Sequence, residues 1–301
     1  MGVTLLDGGM GQELVKRTED RATPLWSTQV MIDHPGLVRA IHDDFFAAGA
    51  EVATANTYAV LRDRLVRVGM QDRVPELIDT ALSTAEAARA AHGSGLVAGS
   101  LGPLIASYRP DLCPPAAEAA ALYAENVAMM QDRVDLFLIE TMSSVEMAEG
   151  ALRATAASGV PVWLAVSVDD HDGAKLRSGE PVSDLAATVA RHEPDAVLIN
   201  CSRPEAVAAG LEAIKGFDRP FGAYANGFTR ISNGFLADAP TVDALERRTD
   251  LGPEAYADFV DGWVAQGATI VGGCCEVGPA HIAEIARRLG KLPAEAAASL
   301  A

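Results

Sequence analysis

Residues 196–214 read AVLINCSRPEAVAAGLEAI, and this stretch decides the fold class. Its first part is a short apolar run, Ala196–Ile199, of the kind that forms a strand buried on both faces. The run ends in polar residues, and Pro204 then begins a segment with apolar residues at helical spacing, as far as Ile214. A buried strand that passes through a polar turn into a helix is the repeating unit of α/β folds with a parallel sheet.

The same unit occurs eight times along the chain. Each apolar run is rich in β-branched residues and is followed by turn-forming or polar residues, and helical segments lie between the runs. The predicted strands are residues 3–6, 51–54, 96–98, 136–139, 162–168, 196–199, 221–224 and 269–271. The predicted helices are residues 37–48, 75–91, 116–133, 144–157, 183–192, 204–214, 253–266 and 279–289.

Eight strand–helix units in 301 residues predict a (β/α)8 TIM barrel, whose usual size is about 250 residues. An open doubly wound sheet has the same alternation and is the alternative. The barrel is favoured because no G-x-G-x-x-G fingerprint follows a strand, and the run GGMG at residues 8–11 does not match it. No linker interrupts the chain, so we expect a single domain over residues 1–301, with residues 226–249 as one long loop.

Composition excludes several classes of partner. Lys and Arg number 24 while Asp and Glu number 41, which gives a formal charge of −17. Such a protein repels phosphate backbones and anionic lipid, so we expect no nucleic-acid partner and no membrane partner. No signal peptide, transmembrane stretch or secreted disulfide framework is recognisable among the 301 residues and four cysteines. We expect a cytoplasmic protein, and the sequence leaves open whether it forms a homo-oligomer.

In a barrel the residues just after each strand's carboxyl end build the active site. Three of the four cysteines fall at such positions, whereas Cys113 lies apart in a loop. The residues that follow the eight predicted strands include Asp7, Asn56, Ser100, Glu140, Asp169, Cys201, Asn226, Cys274 and Cys275.

The three cysteines at these positions can form a metal site. Cys201 precedes Cys274 and Cys275 by 73 and 74 residues, which is no zinc-finger spacing, but the barrel brings the ends of the sixth and eighth strands to one rim. Three thiolates supply three of the four tetrahedral ligands of Zn²⁺ and leave the fourth position open, as in catalytic sites. Two alternatives are buried thiols that merely fill space and a redox protein that cycles a Cys274–Cys275 disulfide.

Three cysteinate charges on Zn²⁺ leave a centre of net charge −1, which is better suited to binding a further sulfur ligand than to generating hydroxide. A substrate thiol, whose ordinary pKa is about 8.5, is held as the thiolate by coordination. Because a thiolate is a strong nucleophile toward carbon, the cysteine set predicts alkylation of a bound thiol rather than hydrolysis.

Several motifs together resemble the homocysteine S-methyltransferase family, in the same order from Leu5 to about Leu289. They are DGGMG at 7–11, LWS at 25–27, GSLGP at 99–103, ETM at 140–142, NC at 200–201 and GGCC at 272–275. The resemblance implies a zinc-containing barrel that transfers a methyl group to homocysteine and forms methionine. It also implies that Cys201, Cys274 and Cys275 are the zinc ligands.

The resemblance further implies which residues bind the substrate. Asp7 with Gly8, and Glu140, match positions that hold the amino group of homocysteine, which is consistent with the pairing of an ammonium with carboxylates. Ser100 and its neighbouring glycines match a segment that presents N–H groups to the carboxylate, and Asn226 matches an asparagine beside the open zinc position. The alternatives are helix caps for Asp7 and Glu140, a tight turn at Ser100 and a simple loop residue at Asn226.

Two aromatic residues concern the methyl donor. Trp26 and Tyr58 fall where betaine-using relatives place aromatic rings around the donor, and aromatic faces suit any onium charge. Thr141, beside Glu140, replaces a third aromatic of those relatives, so a sulfonium donor such as S-methylmethionine is favoured. Glu276 departs from the family pattern and either favours a cationic donor or points to solvent.

Other functions stay open on the sequence alone. The acceptor can be another thiol or a selenol, and the methyl group can come from betaine or from a separate corrinoid protein. The sequence does not identify the fourth zinc ligand of the resting site or a role for Cys113.

Overall fold

The computed structural model describes residues 2–18, 27–231, 236 and 245–293. Within these residues eight strands form one sheet, and all neighbouring strands run parallel. The strands are β1 (Thr4–Leu5), β2 (Val52–Thr54), β3 (Leu96–Leu101), β4 (Leu136–Met142), β5 (Val162–Val166), β6 (Ala196–Asn200), β7 (Phe221–Ala225) and β8 (Ile270–Gly273).

The sheet closes on itself. Strands pair in the order β1-β8-β7-β6-β5-β4-β3-β2, and Leu6, just after β1, pairs in parallel with Val52 of β2. This last pairing joins the two ends of the sheet, so the predicted (β/α)8 TIM barrel is confirmed and the open doubly wound alternative is wrong. All eight predicted strands are present, with boundaries that differ by a few residues.

Helices surround the barrel, and each of the eight predicted helices is present. Three short helices, α1, α2 and α4, were not predicted, because each has at most nine residues and buries at most four side chains. The α-helices are α1 (Met10–Thr18), α2 (Ser27–Asp33), α3 (Pro35–Ala47), α4 (Arg62–Leu65), α5 (Val74–His92), α6 (Ala116–Met130), α7 (Val145–Thr155), α8 (Ala186–His192), α9 (Pro204–Ile214), α10 (Pro253–Ala265) and α11 (Pro279–Arg288).

The core has two layers because alternate strand residues point to opposite faces. On β4, Leu136 and Leu138 belong to the small cluster inside the barrel, while Phe137 and Ile139 pack with the helices outside. On β6, Leu198 is likewise inside the barrel. Burial on both faces explains why the strands are continuous apolar runs rather than alternating ones.

Tyr256 of α10 fixes the ends of β7 and β8, next to the cysteine pair. Its buried hydroxyl accepts from the Ala225 N–H at 3.0 Å, and its single proton is shared between the carbonyl oxygens of Gly272 at 2.8 Å and Ala225 at 3.1 Å. A single side chain from the outer layer therefore holds both strand ends in register where the site begins.

The region predicted as one long loop, 226–249, lies after β7. Its described residues include an antiparallel bridge between Phe228 and Arg247, while residues 232–235 and 237–244 lie outside the described part. Among the helices of the described residues, none combines the length and apolar character needed to cross a membrane.

Candidate metal and substrate site

Three thiols meet at the carboxyl end of the barrel. Cys201 follows β6, and Cys274 and Cys275 follow β8; Cys201 and Cys275 are both buried. The three Sγ atoms all lie within 4.8 Å of one another, and those of Cys274 and Cys275 are 4.0 Å apart. The Sγ atoms of Cys201 and Cys274 are in disulfide contact, so the predicted proximity of these two distant segments is confirmed.

The donor set and its spacing fit a soft divalent metal ion. Two thiolates bound at about 2.3 Å to a tetrahedral ion lie roughly 3.8 Å apart, close to the 4.0 Å between the Sγ atoms of Cys274 and Cys275. Cys201 and Cys274 are in disulfide contact, so this pair binds a metal only after reduction to thiolates. The backbone around it is also tightly packed, because a Cβ on Gly9 would lie 2.6 Å from the carbonyl oxygen of Cys274. Cys201, Cys274 and Cys275 are therefore the residues that can hold a metal ion here.

Asn200, the residue before Cys201, connects the cysteine site to β4. Its Oδ1 accepts from the Thr141 N–H at 3.0 Å, and its Nδ2 donates to Thr141 Oγ1 at 3.1 Å. Thr141 has a φ of +63°, and the pairing of β4 with β5 shifts register between Ile139 and Met142. A bulge of this kind re-aims side chains. The amide of Asn200 thus stabilises the irregular segment that carries Glu140.

Asp7 is a buried carboxylate at the end of β1. Its Oδ2 accepts from the Thr54 N–H and its Oδ1 from the Thr54 hydroxyl, both at 2.7 Å. Burial raises the pKa of Asp7 to about 7, against the opposing effect of the Thr54 hydrogen bonds, and the nearby Glu140 raises it further.

Glu140 is the second buried carboxylate of the site. Its Oε2 accepts from the Ser100 hydroxyl and its Oε1 from the Tyr224 hydroxyl at 3.0 Å. Burial raises the pKa of Glu140, and these two hydrogen bonds oppose the rise. Asp7, Glu140 and the three cysteines line one cavity, so two carboxylates and three thiols face the same space.

Comparison with known proteins identifies the family of the chain. The family model described as homocysteine S-methyltransferase matches residues 4–289. The chain belongs to the homocysteine S-methyltransferase family. It is accordingly an enzyme of that family, and the alternative of a non-enzymatic redox protein is set aside.

Several relatives span nearly the full chain. Homocysteine S-methyltransferase of Escherichia coli (strain K12) is 29% identical over 95% of this chain and 95% of its own. Homocysteine S-methyltransferase YbgG of Bacillus subtilis is 26% identical, with 94% and 93% covered. Selenocysteine Se-methyltransferase of Brassica oleracea is 24% identical, with 96% and 89% covered.

Solved structures of the E. coli homocysteine methyltransferase MmuM share the barrel. Its metallated form has a TM-score of 0.80 at 28% identity, covering 96% of both chains. Its oxidized form also has a TM-score of 0.80 at 28% identity, covering 95% of this chain and 96% of that one. A family member of this fold therefore takes up metal, in agreement with the cysteine cluster described above.

Two further residues matched to the family pattern, Gly8 and Ser100, lie in the cavity wall. A Cβ on Gly8 would overlap the carbonyl oxygen of Val277, so close packing requires glycine there. The Ser100 hydroxyl is directed to Glu140, and its carbonyl oxygen accepts from Thr57 Oγ1 at 2.8 Å. Ser100 therefore orients the carboxylate side of the cavity.

Of the two aromatic residues that the sequence predicted near the methyl donor, the structure describes only Tyr58. Tyr58 lines the cavity, and its hydroxyl lies 2.7 Å from Ser107 Oγ. Trp26 lies outside the described residues. Another aromatic residue of the cavity, Tyr108, was not predicted. It does not directly follow a strand, and nothing in the sequence indicates that its φ is +61°.

Other predicted residues lie away from the cavity wall. Asn226 is buried, its Oδ1 accepts from the Phe228 N–H at 3.1 Å, and it is not among the residues that line the cavity. Glu276 neither lines the cavity nor points freely to solvent, because it pairs with Arg247 at 3.2 Å and Lys16 at 3.4 Å. Glu276 is therefore engaged in ion pairs beside the cysteine pair.

Besides Tyr108, three further residues of the site were not predicted: Thr54, Tyr224 and Gln12. Thr54 and Tyr224 donate hydrogen bonds to the carboxylates of Asp7 and Glu140, respectively. Both lie inside predicted strands, where a polar residue in an otherwise apolar run could have indicated a functional role. Gln12, on the unpredicted α1, lines the cavity with a buried side chain.

Proposed function

We propose that this enzyme is a zinc-dependent methyltransferase that moves a methyl group from a sulfonium donor such as S-methylmethionine to homocysteine, giving methionine. The observation that carries the proposal is the convergence of three thiols and two buried carboxylates on one cavity. The thiols suit a metal that binds sulfur, and the carboxylates suit the amino group of an amino-acid thiol.

Zinc is the metal that this donor set favours. Cys201, Cys274 and Cys275 would hold it, since three thiolates select a soft or borderline ion and leave one tetrahedral position open. Bound there, zinc would keep a substrate thiol deprotonated near neutral pH.

Asp7 and Glu140 are the proposed ligands of the substrate ammonium group, and Gly8 and Ser100 belong to the same wall. Burial makes both carboxylates reluctant to ionise in the ligand-free cavity. An ammonium placed between them restores the charged forms, so binding and ionisation support each other. A role for Asn226 stays a prediction.

The cavity residues position the reactants for a direct transfer. An electron pair of the homocysteine sulfur forms the new bond to the methyl carbon while the donor's carbon–sulfur bond breaks. The broken bond's electrons stay on the donor sulfur, which becomes a neutral thioether, and the thiol proton is lost to solvent. Because charge disappears from both partners, a poorly hydrated cavity favours the step.

The choice of a sulfonium donor is supported by the cavity wall. Tyr58 and Tyr108 line the cavity, and an aromatic ring suits an onium methyl group, while Thr141 stands where a third ring would complete a betaine site.

The test is methionine formation from homocysteine with a panel of donors: S-methylmethionine, S-adenosylmethionine and betaine. We expect a sulfonium donor to give the highest kcat/KM. Selenocysteine serves as an alternative acceptor, because one relative is named for that substrate. Preference for betaine would overturn the donor assignment, and preference for selenocysteine would overturn the acceptor assignment.

Metal content tests the zinc site separately. Wild-type protein purified under reducing conditions is expected to hold about one zinc per chain, and Cys201→Ser to lose most of it. Cys113→Ser is the matched control, because Cys113 lies outside the cluster, and it should keep the metal. Absence of zinc from the reduced wild type would refute the proposed cofactor.

A further inference from the structure

Arg177 is a buried cation beside the site, on the segment between β5 and α8. Its side chain is 10% exposed and pairs with Asp170, 7% exposed, through Nη2 and Oδ1 at 2.8 Å. Burial of an ion pair is costly unless further hydrogen bonds satisfy both partners. The other contacts of Arg177 therefore indicate what the pair is for.

Two of those contacts involve the backbone of Cys201, one of the proposed metal ligands, directly or through Ser167. Nη2 of Arg177 lies 3.3 Å from the carbonyl oxygen of Cys201, and Nε donates to Ser167 Oγ at 2.7 Å. Ser167 in turn donates to the same carbonyl oxygen at 3.2 Å. The Cys201 carbonyl is thus held by two donors that are themselves hydrogen-bonded to each other.

The Cys201 backbone needs such support. Its φ is +45°, in the left-handed region that a residue with a Cβ rarely adopts. The conformation turns the chain at the end of β6 and directs the thiol to Cys274 and Cys275. Donors fixed on the Cys201 carbonyl oppose relaxation of this turn.

The same guanidinium also contacts the cavity wall. Its central carbon lies 4.8 Å from the centroid of the Tyr108 ring, a cation–π distance. The other oxygen of Asp170, Oδ2, accepts from the Ile231 N–H at 2.9 Å, so the segment after β7 also contacts this ion pair. One planar group therefore contacts a thiolate ligand's backbone and an aromatic ring of the cavity.

We infer that Arg177 is a positioning residue that holds the Cys201 turn and the Tyr108 ring in one fixed relationship. The geometry of the metal ligand and the placement of the methyl donor then depend on the same side chain. Lysine cannot replace it fully, because an ammonium lacks the planar fork and the flat face that make these contacts together. The donor part of this inference rests on the proposed function, whereas the metal part does not.

The experiment compares Arg177→Met with Arg177→Lys and a matched control, Arg133→Met. Arg133 joins outer helices far from the cavity and is also held by several side chains, namely Asp79, Ser83 and Glu86 of α5. The first readouts are zinc affinity, by competition with a chromophoric chelator, and the absorption spectrum of the Co²⁺-substituted protein. The third is the KM for the donor against the KM for homocysteine.

We expect Arg177→Met to bind zinc about tenfold more weakly, to change the Co²⁺ spectrum and to raise the donor KM more than the homocysteine KM. Arg177→Lys should give the same changes at smaller size, and it replaces the methionine variant if that one does not fold. Arg133→Met should change none of these quantities, even if it lowers the melting temperature.

Folded Arg177 variants with wild-type zinc affinity and an unchanged Co²⁺ spectrum would overturn the inference and leave Arg177 a purely structural residue. A wild type that uses no sulfonium donor would instead contradict the proposed function, and the metal comparison would still decide the role of Arg177 at Cys201.

Discussion

The hydroxyl of Tyr224 donates a 3.0 Å hydrogen bond to Oε1 of Glu140, with both side chains buried in the cavity. Ser100 donates to the other carboxylate oxygen. The carboxylate is thereby oriented from both sides, and each oxygen keeps a lone pair for a further donor. A substrate ammonium can therefore bind to Glu140 without breaking either hydrogen bond.

Replacing Tyr224 with phenylalanine removes one of these donors. A hydrogen bond to a charged group contributes roughly 1.5–3 kcal/mol, so we expect Tyr224→Phe to raise the KM for homocysteine at least about tenfold. The kcat at saturating homocysteine should fall less, because Tyr224 orients a binding group. Steady-state kinetics over a wide homocysteine range measures the two effects.

Tyr123→Phe is the control for this prediction. The Tyr123 hydroxyl is also buried and donates to the Gly102 carbonyl oxygen at 2.9 Å, but Tyr123 does not line the cavity. It should lower stability by about 1 kcal/mol and leave the KM unchanged. Equal kinetic effects in the two variants would mean that Glu140 is not a ligand of the substrate.

The raised pKa of Asp7 predicts that activity depends on pH near neutrality. Burial raises the pKa of its carboxyl to about 7, so below that pH the group is mostly neutral and attracts an ammonium less. We expect kcat/KM for homocysteine to rise with pH through about 7, since this ratio reports ionisation of the free enzyme. Asp7→Asn should abolish the inflection, and its amide can still pair with the N–H and hydroxyl of Thr54.

The same raised pKa has a consequence for stability. The folded ligand-free protein keeps a proton on Asp7 that the unfolded chain loses near pH 4. The stabilising contribution is complete below pH 4 and is lost as the pH rises from about 4 to about 7. Urea unfolding of wild type and Asp7→Asn across this window should show the difference. Asp250→Asn is the control, because Arg248 lowers the pKa of exposed Asp250.

The sequence was sufficient for the fold because eight continuous apolar runs could be buried only as parallel strands covered by helices. It was also sufficient to bring Cys201 to the cysteine pair, since both follow strands of one barrel. The sequence did not reveal contacts that depend on backbone detail. Tyr108 and Arg177 lie on irregular loops, where no hydrophobic periodicity indicates which side chains meet. The 4.8 Å contact between the Arg177 guanidinium and the Tyr108 ring could therefore not be predicted.

Glu140 illustrates the same limit within a predicted site. Its position after the fourth strand could be predicted, but the strand continues through Met142 with a bulge, and Thr141 adopts a positive φ held by Asn200. Because side chains alternate along a regular strand, the sequence predicts which face of the sheet each one occupies. A bulge breaks this alternation, so the face cannot be predicted for the residues that follow it. The partners Ser100 and Tyr224 follow from that local geometry.

Cys113 is predicted to react slowly with thiol reagents. It is half-buried, and burial together with Glu146 raises the pKa of its thiol to about 11. Compared with an ordinary thiol of pKa about 8.5, the thiolate fraction is about 300-fold smaller, and the greater nucleophilicity of a more basic thiolate restores part of the rate. Alkylation of the zinc-loaded protein, followed by peptide mapping, should show Cys113 reacting about twentyfold more slowly than a small free thiol. Rapid labelling would show that the thiol is activated.

Gly222 on β7 tests the packing that holds the barrel closed. A Cβ at this position would overlap the carbonyl oxygen of Ile270 on β8, and a backbone atom in a sheet cannot move aside as a flexible side chain does. We expect Gly222→Ala to lower the free energy of unfolding by about 3 kcal/mol, measured by urea unfolding. Gly216→Ala is the matched control, because Gly216 has no atom within 4 Å of the added methyl, and its effect should stay within about 0.5 kcal/mol. Equal stability of the two variants would show that β7 and β8 can move apart at this point without cost, contrary to their close pairing.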